Sequence, residues 1–202
     1  NKYFAFDIVT SNNLWIMEGA FLESIKNKKI TYPHLIKYFN RTCFSEPISF
    51  NRSGSVIEYT WLSCVDYALR DFINESKRYI ILKKTDWRFA TDSLSLKFEG
   101  ILRDMLAIYC GSTTKLQKNE EKGYSEMLLD DLLRDLRLKE IFSQDDINLF
   151  FYVFTNKWFN NIRNYVAHGF FKPQDYDFKK AFLVFLCIMR LTKYSGKSNQ
   201  SC

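Results

Sequence analysis

Residues 92–109 read D-S-L-S-L-K-F-E-G-I-L-R-D-M-L-A-I-Y, and this stretch decides the fold. Its large apolar residues recur three and four positions apart, which is the spacing of one face of an α-helix. The residues expected to face inward are Leu94, Phe98, Ile101, Leu102 and Met105. The segment therefore predicts an amphipathic helix that buries this face in the core of a helical protein.

Helical patterns continue on both sides of this segment. Further helices are expected to begin near residues 11, 31, 58, 125, 143, 159 and 178. Ser125 is an expected helix cap, and Ser143 with Asp146 resembles a capping arrangement. The first of these helices is expected to bury Leu14, Met17, Phe21 and Ile25.

The segments between the helices are short and few. Residues 1–10 fit either a strand-like arm or a short helix, because their apolar residues show no clear period. Residues 40–56 contain Pro47 and Gly54 and predict a loop. We expect a connector at residues 77–89 and a mobile polar loop at residues 111–124. The resulting fold class is all-α and bundle-like, with about seven or eight helices.

Composition supports this fold class. The chain of 202 residues holds 7 Gly and 3 Pro, and 47% of its residues are hydrophobic. Little turn material and much apolar material favour long helices around a sizeable core. We expect an N-terminal helical region at residues 1–89 that packs on the bundle, a main domain at 90–195 and a disordered tail at 196–202.

Charge and cysteine usage limit the function classes. Five cysteines without a C-x-x-C pair argue against zinc and disulfides, and for reduced thiols in the cytoplasm. The longest apolar run, residues 181–189, is too short to cross a bilayer. The net charge of +6 suits a polyanionic partner without requiring one. We expect no metal and no cofactor.

Residues 163–169 read R-N-Y-V-A-H-G and are the strongest candidate for chemistry. A histidine followed by a glycine is also an ordinary helix C-terminus, which gives a purely structural interpretation. The functional interpretation is phosphodiester cleavage, in which His168 transfers protons and Arg163 neutralises the phosphate. Asn164 would orient either group.

The spacing of this motif sets a geometric condition. On an ideal helix, residues five apart lie about 140° around and roughly 7.5 Å along the axis. Arg163 and His168 therefore converge poorly unless the helix ends between them or a second chain contributes. A two-fold dimer would bring two Arg–His sets into one interfacial cleft, so we expect a homodimer.

The chain resembles the HEPN superfamily, whose R-x4-6-H motif matches R-N-Y-V-A-H. The likeness covers about residues 90–172 and includes F-E-G-I-L-R-D-M-L at 98–106, L-L-D-D-L-L-R-D at 128–135 and F-Y-V-F-T-N-K-W-F-N-N-I-R-N-Y-V-A-H-G-F-F at 151–171. These stretches are similar to a bacterial HEPN-like family of uncharacterised C-terminal domains. One departure is Asn-Ile at residues 161–162, where leucine-rich versions have Asn-Leu, a change that leaves the chemistry intact.

The resemblance implies a HEPN-like helical bundle with an N-terminal extension and metal-independent RNase activity. It implies Arg163 as phosphate binder, His168 as acid and base, and Asn164 as supporting residue. Glu99 and Arg103, spaced i and i+4, form either a helix-surface pair or part of the cleft, to which Asn160 is also assigned.

Three functional hypotheses follow. The first is an RNA endonuclease acting as a homodimer in a toxin–antitoxin or phage-defence system, with RNA as substrate and an antitoxin as a further partner. The second is a catalytically silent HEPN-like module for dimerisation or for binding a nucleotide or partner. The third is a helical adaptor of an upstream domain, since the sequence starts at Asn1 rather than at a methionine.

Overall fold

A computed structural model describes residues 2–52, 55–111, 113–116 and 124–194. Helices dominate this part of the chain, so the all-α prediction is confirmed. The helices are α1 (Lys2–Lys26), α2 (Tyr32–Phe39), α3 (Trp61–Leu82), α4 (Arg88–Cys110), α5 (Leu129–Arg134), α6 (Leu138–Ile141), α7 (Gln144–Phe154), α8 (Ile162–Ala167) and α9 (Phe178–Leu191). The expected tail at 196–202 lies outside the described residues.

Two short antiparallel hairpins accompany the helices. Strands β1 (Ile48–Arg52) and β2 (Ser55–Tyr59) pair with each other, as do β3 (Thr114–Leu116) and β4 (Tyr124–Glu126). The prediction of an uninterrupted loop at residues 40–56 is therefore wrong. The register runs from Ile48 opposite Tyr59 to Arg52 opposite Ser55, so part of the expected loop is strand.

Helix α4 lies at the centre of the bundle and contacts α3, α5, α8 and α9. All five residues expected to face inward are at most 2% exposed, which confirms the predicted helix face. On this face the ring of Phe98 stacks on that of Phe154, with 4.2 Å between ring centroids, and meets Phe150 edge-on. These rings fix α7, and the chain that leaves it, against α4.

A cluster of aromatic rings joins the first helix to the last. Phe21 from α1 lies 5.6 Å from Phe72 of α3, and Phe72 stacks on Phe185 of α9 at 4.6 Å. One continuous hydrophobic core runs from Leu14 to Leu191. The N-terminal helices thus share their core with the helices that carry the candidate motif.

Several predicted details are wrong at the ends of helices. Helix α3 continues to Leu82 through part of the expected connector, where Lys83 ends it with φ 54° and donates its N–H to the Tyr79 carbonyl. Ser125 lies in β4 and caps no helix. Met17 is exposed rather than buried, because α1 turns a narrower face inward.

Other predicted boundaries are confirmed. Ser143 caps α7, accepting from the N–H of Asp146 at 3.2 Å, and α9 begins at Phe178, with Asp177 as its cap. Residues 2–10 form helix as part of α1, which selects one of the two expectations for them. Within the described ranges, no helix has both the length and the apolar character needed to cross a membrane.

A buried carboxylate ties α7 to α9. Asp146 is 1% exposed and accepts hydrogen bonds from Arg190, Tyr194 and the Ser143 hydroxyl. Burial alone would raise the pKa of Asp146, but the donors Arg190, Tyr194 and Ser143 together hold the pKa below its ordinary value. The charged form is therefore the one that the fold stabilises.

The Asp146 network makes stability depend on pH. Asp146→Asn is expected to lower the free energy of unfolding by about 3 kcal/mol near neutral pH, because it leaves the Arg190 charge without its carboxylate. Because its folded-state pKa is depressed, Asp146 stabilises the folded protein at pH values above the unfolded-state pKa. This stabilisation is lost as the pH falls through the folded-state pKa. The difference between wild type and variant should thus shrink below about pH 4 in urea unfolding.

The matched control is Asp145→Asn, which changes an exposed carboxylate one position earlier. It should alter the unfolding free energy by less than about 1 kcal/mol across the same pH range. A cost of Asp146→Asn that stays constant from about pH 3 to 8 would contradict the linkage to this carboxylate.

Candidate functional site

The approach to α8 is shaped by an asparagine in the left-handed conformation. The chain leaves α7 at Phe154, and Asn161 directly before α8 has φ 46° and ψ 31°. Asparagine adopts this conformation more readily than other side-chain-bearing residues. The Asn164 amide donates to the Asn161 side-chain oxygen at 2.7 Å, which ties the turn to the first turn of α8.

The exit from α8 is closed by a glycine, as the sequence predicts. Gly169 has φ 64°, its N–H donates to the Val166 carbonyl at 3.1 Å, and the Phe170 N–H donates to the Tyr165 carbonyl at 2.8 Å. This pair of bonds is the Schellman arrangement, and the rings of Tyr165 and Phe170 also meet, 6.2 Å apart. His168 is the capping residue, so its backbone is held from both sides.

Arg163 is oriented by a carboxylate on the central helix. Its Nε donates to Glu99 Oε2 at 2.6 Å, and the other oxygen of Glu99 accepts from Arg103 at 3.0 Å. Glu99 is 9% exposed, so its charge needs these cations. Within the described residues the terminal amino groups of Arg163 have no hydrogen-bond partner, so they remain available for an anion.

Arg163, Asn164 and His168 line one cleft of about 1050 Å³. The cleft lies between α5, the end of α7, the break that follows α7, and α8. Its other wall residues are Leu128, Leu129, Asp130, Arg134, Phe151, Thr155, Asn156, Lys157, Trp158 and Phe159. This volume is at the upper end of the range found for small-ligand sites.

The wall of the cleft is cationic and aromatic. Three basic side chains, Arg134, Lys157 and Arg163, face one carboxylate, Asp130, which already pairs with Arg134 at 2.9 Å. Three large aromatic residues and the amides of Asn156 and Asn164 complete the wall. Cations beside aromatic faces suit an anionic ligand that also carries flat rings.

His168 is exposed at this wall. Its ring lies 5.4 Å from that of Phe170 in a near-parallel arrangement, and its imidazole nitrogens make no hydrogen bond to any described residue. The exposed imidazole therefore lies where it can contact a ligand that Arg163 holds by its charge.

The residues singled out from the sequence divide into two groups. Arg163, Asn164 and His168 line the same cleft of a single chain. Glu99 contacts Arg163, while Arg103 acts on it only through Glu99. Asn160 is half-buried and lies outside the cleft wall.

Sequence reasoning missed several wall residues. Phe151 is half-buried, and the Arg134 guanidinium lies 5.0 Å from its ring centroid. Lys157 and Trp158 lie in the break between α7 and α8. The available signal was an aromatic and basic pair, K-W, in a short break next to the R-x4-H motif.

A metal centre is not evident in the part of the chain that the structure describes. It holds no group of three or more His, Cys, Asp or Glu side chains arranged to bind a metal ion. Comparison of the chain with protein-family models, with curated proteins and with solved structures gave no significant match.

Glu99 is expected to stabilise the protein through its two arginines. Glu99→Gln keeps the size of the side chain but removes its charge, so the free energy of unfolding should fall by about 1–3 kcal/mol in urea titrations. Asp130→Asn, which alters an exposed carboxylate paired with Arg134, should cost less than about 1 kcal/mol. Equal costs for the two variants would show that Glu99 is not the anchor described.

Asn161 offers a second test, based on backbone conformation. Asn161→Ala should lower the free energy of unfolding by about 1 kcal/mol more than Asn161→Gly, because alanine is strained at positive φ. Asn160, which has no positive φ, is the control. There the order should reverse, with glycine costing more than alanine. The same order at both positions would rule out the left-handed conformation at Asn161.

Proposed function

We propose that this protein is an RNA endonuclease of the HEPN type that needs no metal ion. The observation that carries the proposal is that Arg163, Asn164 and His168 line one cleft whose wall is rich in cations and aromatic rings. The resemblance of residues 90–172 to HEPN domains supports the same activity. The orientation of Arg163 by Glu99 adds a preorganised phosphate-binding group.

The proposed reaction is transesterification. The ribose 2′ oxygen attacks phosphorus, the bond from phosphorus to the 5′ oxygen breaks, and the products carry a 2′,3′-cyclic phosphate and a 5′ hydroxyl. Neutral His168 accepts the proton of the 2′-OH, and an imidazolium donates a proton to the departing 5′ oxygen. Arg163 neutralises the charge on the phosphate oxygens through its free amino groups.

The biological setting follows from the resemblance. We place the enzyme in the cytoplasm as a toxin or phage-defence effector, with an antitoxin as a partner. In a homodimer, the second copy's histidine would supply the imidazolium while the first acts as base. The dimer therefore belongs to the proposed chemistry, even though one chain already brings the motif residues into one cleft.

The test is cleavage of cellular RNA by purified protein in the presence of EDTA. Arg163→Ala and His168→Ala should each lower the rate about 10²- to 10⁴-fold, as expected for loss of a phosphate ligand or an acid–base group. Chemical analysis of the fragment ends should find the cyclic phosphate and the 5′ hydroxyl. Rates are measured at a temperature at which circular dichroism shows every variant to be folded.

The chain provides matched controls for both substitutions. His34 is the other histidine and is exposed on α2, and Arg88 is exposed and paired with Asp86. His34→Ala and Arg88→Ala, prepared identically, should cleave at the wild-type rate, which excludes a contaminating ribonuclease. Equal cleavage by all five proteins, or no cleavage by the wild type, would refute the proposed activity.

One observation favours the silent module as a second candidate. Arg163 already has an intrachain partner in Glu99, which is the contact expected if the arginine only stabilises the fold. In that case Arg163→Ala would lower the unfolding temperature about as much as Glu99→Gln, and neither variant would change any activity on RNA. The nuclease requires instead that His168→Ala abolish cleavage while leaving the unfolding temperature unchanged.

A further inference from the structure

Trp158 is the most conspicuous side chain of the cleft. It is 91% exposed, although an indole is among the largest apolar groups a protein can bury. Its neighbours in the chain are fixed: Asn156 is 8% exposed, and its side-chain oxygen accepts from the backbone N–H of Trp158 at 3.0 Å. Phe159 is anchored by the ring of Tyr152, 4.7 Å away. The turn therefore presents Trp158 to solvent rather than leaving it loose.

The indole is the one aromatic face of the wall that is still free within the described residues. The Arg134 guanidinium already lies over Phe151, and Phe159 already packs on Tyr152. Trp158 makes no ring–ring or cation–ring contact with any described residue. A flat ring that enters the cleft can thus stack on Trp158 without displacing a protein group.

The charges beside Trp158 indicate which kind of ligand stacks on it. Lys157 precedes Trp158, and Arg163 lies in the same wall with free amino groups, so a negative charge is favoured next to the indole. A ligand with an anionic group and a flat ring attached to it is a nucleotide unit. A base can stack on a side chain only when it has left its own helical stack, so the ligand must be unpaired.

We propose that Trp158 is a nucleobase subsite that stacks one unpaired base of an RNA strand, next to the phosphate held by Arg163. This inference rests on the proposed nuclease function, whose substrate it narrows to single-stranded segments. Duplex RNA is excluded from productive binding because its bases are not accessible to the indole. Lys157 holds the phosphate on the other side of the stacked base.

The experiment measures binding separately from cleavage. His168→Ala protein, which leaves the RNA intact, is titrated into a fluorescein-labelled single-stranded octamer and into a duplex of the same sequence, with anisotropy as readout. The single strand should bind more tightly. Adding Trp158→Ala should weaken its binding about 5- to 100-fold, the range measured for loss of one stacked base. Trp158→Phe should recover most of the affinity.

Two controls make the result specific. Trp15 is also strongly exposed, at 77%, but lies on α1 away from the cleft, so Trp15→Ala should change nothing. Octamers with one abasic position keep every phosphate. If Trp158 stacks a base, an abasic site at one position of the octamer should weaken its binding to the His168→Ala protein. The same abasic site should not weaken binding further when Trp158→Ala is also present.

The outcomes separate the subsite from the activity. Equal affinity of Trp158→Ala and its parent, or equal binding of duplex and single strand, overturns the subsite even if wild-type protein cleaves RNA. Binding of an acidic peptide that depends on Trp158, without RNA binding, also overturns it in favour of a protein contact. Trp158-dependent binding by a protein that never cleaves leaves the subsite intact and refutes the nuclease.

Discussion

The ion pair between Glu99 and Arg163 connects the core to the cleft. Glu99 is 9% exposed on the central helix α4, so its carboxylate is poorly solvated and pairs with two cations. Arg163 is one of these, and meeting Glu99 fixes both the position of α8 and the direction of the guanidinium. The need of the buried Glu99 carboxylate for a cation therefore orients the Arg163 guanidinium at the cleft.

The helices could be predicted because each of them buries one face. The period of the apolar residues predicted a helix where α4 lies, and all five residues that it assigned to the inward face are buried. The same pattern gave wrong predictions where contacts distant in sequence determine burial or strand pairing. Met17 has the right spacing but faces solvent, and the β1–β2 hairpin was hidden behind proline and glycine signals that usually mark loops.

The candidate site was only partly visible in the sequence. Arg163 and His168 stood out by their types and spacing, and Glu99 by its pairing with Arg103, which is present. The contact between Glu99 and Arg163 spans 64 positions, and no local rule connects residues so far apart. Trp158 could not be identified, because exposure depends on how the turn after α7 is held and not on residue type.

The aromatic core has a consequence for synthesis of the chain. Phe178, Phe182 and Phe185 of α9 complete the ring cluster around Phe72, more than a hundred positions earlier. A nascent chain that has produced the whole cleft motif still lacks these rings, and contacts this distant in sequence form late. The R-N-Y-V-A-H-G motif is therefore synthesised before the core that supports it can be completed. Products truncated ahead of α9 would expose aromatic surface and require chaperones or proteolysis.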